Sequence, residues 1–241
     1  MNEQKQKHGD LIINGVGASN GGTFDQVFIS GKGTVNTTVN CTYFKCSGTG
    51  TIHGDINSQK TKISGSAKIN GNITGDDFVI EGRASIRGNA KVDKLTIKGK
   101  GSIDGDLKAE DIRAQGSIAI GGDCESETFK AEGQFSIGGL LTAEKIEIVT
   151  ASSCKAKEIG GGTIRVKQKT NFIRDLFKPV FPINLETDLI EGDQVELENT
   201  KAKIVRGNHI IIGENCEIDY LEYKGSFRIE KNGYVKETVQ L

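Results

Sequence analysis

The feature that most limits what this chain can fold into is a repeat. Residues 43–59 read YFKCSGTGTIHGDINSQ, residues 60–76 read KTKISGSAKINGNITGD, and residues 94–110 read KLTIKGKGSIDGDLKAE. Cut every seventeen residues from Gln26, the chain gives eight consecutive copies ending at Gly161. The second place of each copy holds Val27, Phe44, Thr61, Phe78, Leu95, Ile112, Phe129 and Ile146. The tenth runs Val35, Ile52, Ile69, Ile86, Ile103, Ile120 and Ile137, then Cys154. The sixth is glycine from Gly31 to Gly133, and the twelfth is glycine from Gly54 to Gly139.

Even places are apolar or small, and odd places are mostly polar. Alternation with period two means strands with one buried face. A single hairpin sheet does not need identical columns; a solenoid does, because equivalent residues stack at about 4.8 Å. β-Branched isoleucine suits such a ladder. No coil buries its apolar edge alone, and stacking makes the core continuous. Glycines are expected at inward corners where no side chain fits. Seventeen is odd, so one corner per coil breaks the alternation, expected at the last and first places, for example Glu110 and Asp111.

This reading divides the chain into four parts. Residues 1–9 are a polar tail, and residues 10–166 are a main β-solenoid of about nine coils, starting with a sixteen-residue coil from Asp10 to Asp25. Residues 167–186 are a basic and apolar insert holding both prolines, and residues 187–241 return to coils. There the seventeen-residue spacing is read from Val195, Ile212 and Ile229, from Ile218 and Val235, and from Ile204 and Leu221. About twelve coils at ~4.8 Å make a rod roughly 55 Å long. Within the insert, Thr170 or Asn171 is placed to cap a short helix that Pro179 ends. Phe172, Ile173, Leu176, Phe177 and Val180 share one face of it, ringed by Lys167, Lys169, Arg174 and Lys178. Two readings stand: a plug over the solenoid, or a helix that docks on a membrane surface or a partner.

Composition agrees with a thin core and many corners: 35% hydrophobic residues, 32 glycines, two prolines and no tryptophan. The net charge of −1 lacks the basic surplus of a nucleic-acid binder, so no nucleic-acid partner is expected. No stretch approaches the ~20 apolar residues of a membrane span. The first ten residues form no signal peptide, so a cytoplasmic location is expected. Cys41, Cys46, Cys124, Cys154 and Cys216 show no zinc spacing, and an odd count argues against a disulfide framework.

Candidate chemistry is sparse. Asp76, Asp93, Glu110, Glu127 and Glu144 form a carboxylate column that could hold cations; Lys62, Lys94, Arg113, Lys130 and Lys145 lie close enough to neutralise it. His53 falls at an outward place with no second histidine near it. His209 sits in GNHIIIGENCEI, which resembles the hexapeptide repeat of left-handed acyltransferases, whose general base is a histidine. Those coils close on multiples of six, and seventeen is not one. The cysteines occupy inward places and read as small hydrophobes. No catalytic residue, metal ligand, cofactor or small-molecule substrate is expected, and the chain is not read as an enzyme.

The motif I-x-G-x-[GA]-x-I-x-G-[DN] is carried by residues 63–72, ISGSAKINGN, and residues 97–106, IKGKGSIDGD. It resembles the bactofilins, bacterial polymer-forming cytoskeletal proteins, over roughly residues 26–144. The segment IEGDQVELENTKAKIVRGNHIIIGENCEIDYLEYKGSFRIE resembles the closing part of longer Gram-positive members. The resemblance implies an all-β, right-handed parallel β-helix that assembles end to end into nucleotide-free filaments. Such filaments act as scaffolds in cell shape, envelope organisation, polarity or motility. The implied partners are further copies of the chain, a paralogous bactofilin and, as a further reading, a membrane surface. The chain departs from typical members in its short tails, its extra coils and its insert. Both solenoid ends read as association surfaces, because open strand edges are templates for pairing and no capping helix is evident. The residues concerned are Leu11, Ile12 and Ile13 at one end, and Phe227, Ile229, Tyr234 and Val235 at the other. Two alternatives differ in class: a monomeric or dimeric adaptor docking through the insert, and an acyltransferase-like or carbohydrate-active β-helix enzyme.

Overall fold

The structure, a computed structural model, describes residues 8–150, 152–168 and 184–241. These residues form strands and corners with no helix. They fall into two compact units, residues 1–107 and 108–241, and each is a parallel β-solenoid. The insert residues Thr170, Asn171, Phe172, Ile173, Leu176, Phe177 and Val180 lie outside the described residues.

In the first unit each coil has three faces, and the second-place and tenth-place columns are hydrogen-bonded ladders. On the first face Leu11 stacks on Val27, then Phe44, Thr61, Phe78 and Leu95 follow in parallel register. On the second, Val35, Ile52, Ile69, Ile86 and Ile103 stack in the same way. Val27, Ile52, Ile69 and Ile86 are all fully buried. Alternation therefore places one apolar row per face inside, and stacking closes it.

Thr61 is the odd member of its column. It sits between Phe44 and Phe78, is 1% exposed, and its Oγ1 has no hydrogen-bond partner.

The corner glycines serve a different purpose from the expected one. Those at the sixth place are half-exposed, not inward. A Cβ on Gly48 would lie 2.1 Å from the carbonyl oxygen of Gly31, and one on Gly82 would lie 2.0 Å from that of Gly65. Glycine is required there because successive corners pack backbone against backbone, not because the interior lacks room. The Asn or Asp that ends the motif completes the second corner. Asp55 Oδ1 accepts from the backbone N–H of Asn72 at 2.7 Å, Asn72 Oδ1 from Asn89 at 2.8 Å, and Asn89 Oδ1 from Asp106 at 2.9 Å. Each side chain thus satisfies a corner amide of the following coil, which would otherwise lack a strand partner.

The second unit keeps the ladders but spaces them differently. Glu110 is exposed and Asp111 half-buried between buried Ala109 and Ile112, so the alternation breaks where expected. Phe129 and Phe135 are buried and meet edge to face, with ring centroids 5.5 Å apart. The strand Cys154–Gln168 pairs directly with Leu185–Leu197, so the chain leaves and rejoins one ladder across the insert.

Beyond it the even seventeen-residue register does not hold throughout. Val195 pairs with Ile210, and Leu197 pairs with Ile212. Val205, not Ile204, pairs with Leu221; Val205 is buried and Ile204 half-exposed. Only Ile212 with Ile229 and Ile218 with Val235 keep the expected pairing. A coil shortened by two residues leaves inside and outside unchanged, so the apolar pattern alone could not reveal it.

Candidate functional site: the outer coils

The outermost described coil of the first unit is open on one edge. Strand Leu11–Ile13 pairs with residues 27–29, and strand Val16–Ser19 pairs with residues 32–35. Among the described residues no strand pairs with their other edges. Ile13 is buried and Leu11 half-buried, both at inward places above Ile29 and Val27. Ile12 points outward, stacked beside Phe28, and is 57% exposed. Val16, which the sequence reading passed over, is 88% exposed. Its signal was available: the same outward place holds Lys32, Thr49, Ser66, Arg83 and Lys100 in later coils, all polar.

The outermost described coil of the second unit is also incomplete. Strand Tyr234–Gln240 covers only residues 217–223 of strand Glu217–Ile229. Phe227 and Ile229 stack on buried Ile210 and Ile212, and among the described residues no strand stacks on them. Ile229 is 43% exposed at a column place where Ile212 is fully buried. Phe227 is half-buried against the ring of Tyr223, with centroids 4.6 Å apart. Val235 continues the column above Ile218, whereas Tyr234 points outward over Glu217. Val239 and Leu241 are exposed as well. Among the described residues, each outer coil therefore presents unpaired backbone groups beside unfinished apolar columns. Such an edge can add a further strand, with main-chain bonds supplying affinity and the columns supplying register.

The remaining candidates do not gather into a site. Asp76, Asp93, Glu110, Glu127 and Glu144 are all exposed. Of the bases expected beside them, Lys62 pairs with Glu81, Arg113 with Asp111, and Lys130 and Lys145 with Glu147. The column is solvated, and four of the five neighbouring bases have other partners. No group of three or more metal-ligating side chains occurs among the described residues. His209 is exposed, its Nδ1 3.0 Å from Ser226 Oγ. His53 Nδ1 lies 3.0 Å from the amide of Asn70 in the adjacent coil. Cys46, Cys124, Cys154 and Cys216 are buried and Cys41 half-buried, all as free thiols. Burial pushes the Cys124 thiol up to about 12 and those of Cys46, Cys154 and Cys216 up to about 11. Thiols held protonated in this way are poor nucleophiles. No helix of the described residues is long and apolar enough to cross a membrane.

Comparison with known proteins bears on these open coils. Residues 4–91 match the bactofilin family, described as polymer-forming cytoskeletal. The Bacillus subtilis (strain 168) protein YhbE, itself described as uncharacterized, is 39% identical over 106 residues, 42% of this chain and 43% of that relative. YhbF of the same organism, likewise uncharacterized, is 42% identical over 86 residues, 35% of this chain and 34% of the relative. The chain thus matches less than half the length of either relative. No solved structure matches it significantly. Residues 4–91, the span that matches the bactofilin family, carry the open first coil and the glycine-cornered ladders above it.

Proposed function

We propose that this chain is a non-enzymatic scaffold that assembles with copies of itself, end to end and without nucleotide, into cytoplasmic filaments that organise cell shape or the envelope. The observation that carries the reading is the unfinished apolar column at Phe227 and Ile229, beside an open strand edge. A second coil stacked there buries apolar surface worth roughly 25 cal/mol per Å² and pairs the free backbone groups in the same step. The polymer-forming description of the matched family supports the same direction. Free, buried cysteines suit a reducing compartment. No step of this assembly calls on a nucleotide, because the coil-on-coil contact supplies its own driving force.

Sedimentation velocity over a range of concentrations tests the reading. The parent chain is expected to form multimers that grow with concentration. Ile229→Asp, which places a charge at a half-open place, is expected to remain folded by circular dichroism and to shift the population to smaller species. A parent chain that stays monomeric at every concentration contradicts the proposal.

A further inference from the structure

On one face of the second unit the outward side chains form rungs of a single sign. Lys155 and Lys157 share one rung, Glu186 and Asp188 the next, Lys201 and Lys203 the third, and Glu217 and Asp219 the fourth. Lys155 stacks on Glu186, Glu186 on Lys201, and Lys201 on Glu217 in parallel register, and the second member of each rung stands two residues on. Between the members of each rung lies a buried inward residue, in turn Ala156, Thr187, Ala202 and Ile218, whereas none of the charged side chains is buried. Exposed Ser136 and Gly138 precede the block, with Ser136 stacked on Lys155. Exposed Tyr234 and Lys236 follow it, with Tyr234 stacked on Glu217.

Charge balance within the chain does not explain this order. Like charges two residues apart on one strand stand ~7 Å from each other and repel. A checkerboard, with one base and one acid per rung, gives every charge unlike neighbours along the strand as well as across it. Lys201 pairs with Glu217 at 3.0 Å and Lys203 with Asp188 at 2.7 Å, but among the described residues Lys155, Lys157, Glu186 and Asp219 form no ion pair. What stripes supply is selectivity toward a second face of the same kind. Against a copy whose rungs run in reverse order, every rung meets the opposite sign. Lys155 and Lys157 then face Glu217 and Asp219, and Glu186 and Asp188 face Lys201 and Lys203. In the same order every rung meets its own sign, which opposes contact. A checkerboard tolerates both orders. A second copy is also a commensurate occupant, because its rungs repeat at the same ~4.8 Å. Reversal further sets small Ser136 and Gly138 opposite large Tyr234 and Lys236.

We propose that this face is a lateral contact between two copies of the chain, laid antiparallel about a two-fold axis that passes between the Asp188 and Lys203 rungs. Such a contact is isologous and closes on a pair. It is separate from the end-to-end contact proposed above and does not rest on it.

Sedimentation velocity on the full chain tests it, in an Ile229→Asp background that suppresses end-to-end growth. At low ionic strength, where exposed charges are least screened, this parent is expected to form dimers that dissociate as salt rises. Lys155→Glu with Lys157→Glu sets like rungs against each other across the pair, and so does Glu217→Lys with Asp219→Lys. Each double variant is expected to stay folded by circular dichroism, because its sites are exposed, and to dimerise about tenfold or more weakly. Mixing the two variants is the decisive arm. The reversed rung of one then faces the reversed rung of the other with unlike sign, so a heterodimer of about the parent's affinity is expected. Mixing leaves unchanged any ladder that acts only within its own chain, whose first and fourth rungs lie ~14 Å apart. A monomeric parent, a double variant that dimerises as tightly as the parent, or a mixture no tighter than its components overturns the proposal. A chain that pairs in this way but never elongates with Ile229 intact contradicts the end-to-end reading alone.

Discussion

At the scale of single residues, the chain is governed by what fits between stacked coils. Gly48→Ala places a methyl group 2.1 Å from a backbone oxygen that is fixed by its own ladder. We expect it to destabilise the fold by about 1–3 kcal/mol, as overpacking does, seen as a lower melting temperature. Thr61 tests the opposite sign. Its hydroxyl is buried between two phenylalanines without a partner, so Thr61→Val is expected to stabilise by about 1–2 kcal/mol in the same assay. Ile86→Asp puts an unpaired charge into a fully buried column and is expected to cost about 4 kcal/mol or more, with loss of the β-sheet circular dichroism signal. The buried thiols set an alkaline limit. Their folded pKa lies above the ordinary 9.0, at about 11 for Cys46 and about 12 for Cys124. The stability they contribute is complete below about 9 and is lost as the pH climbs through 11 to 12, because the unfolded chain then binds fewer protons. A stability profile that stays flat from pH 8 to 11.5 contradicts this.

At the scale of the coil, two devices hold successive elements in register: the apolar columns and the Asx corner ladder. Asn72→Ala removes the acceptor for the Asn89 amide and is expected to cost about 0.5–1.5 kcal/mol. Asn72→Asp keeps an acceptor for that amide, but Asn72 Nδ2 donates to Asp55 Oδ1 at 3.3 Å, so the variant sets two carboxylates against each other and is expected to cost at least as much near neutral pH. Much of this element was legible in the sequence, because a column of stacked residues repeats at the period of the coil. Ile52, Ile69 and Ile86 announced their burial by type and spacing. Glycine at the corners was also legible, but its reason was not: the pattern marks the place, and only the backbone shows the carbonyl it faces. The register beyond the insert was misread between Val195 and Ile212 for a related reason. Removing two residues from a coil preserves the alternation on which the reading depends.

At the scale of the whole molecule, the candidate surfaces are where the repeating pattern runs out, and a repeat pattern is least informative there. Leu11, Ile13, Phe227 and Ile229 read as core residues by type, and only the lack of a further strand beside them among the described residues makes them outermost. Val16 stands out only against the polar residues at its place in later coils, and no column points to Leu241; both are largely exposed. Under the proposed function, copies of this chain add to one another through these outer coils. Negative-stain electron microscopy of the purified full chain without nucleotide, beside light scattering of the same sample, tests it most directly. Elongated multimers are expected, with a mass that rises with concentration and does not respond to added nucleotide. A single small species of fixed mass across the concentration range would contradict it.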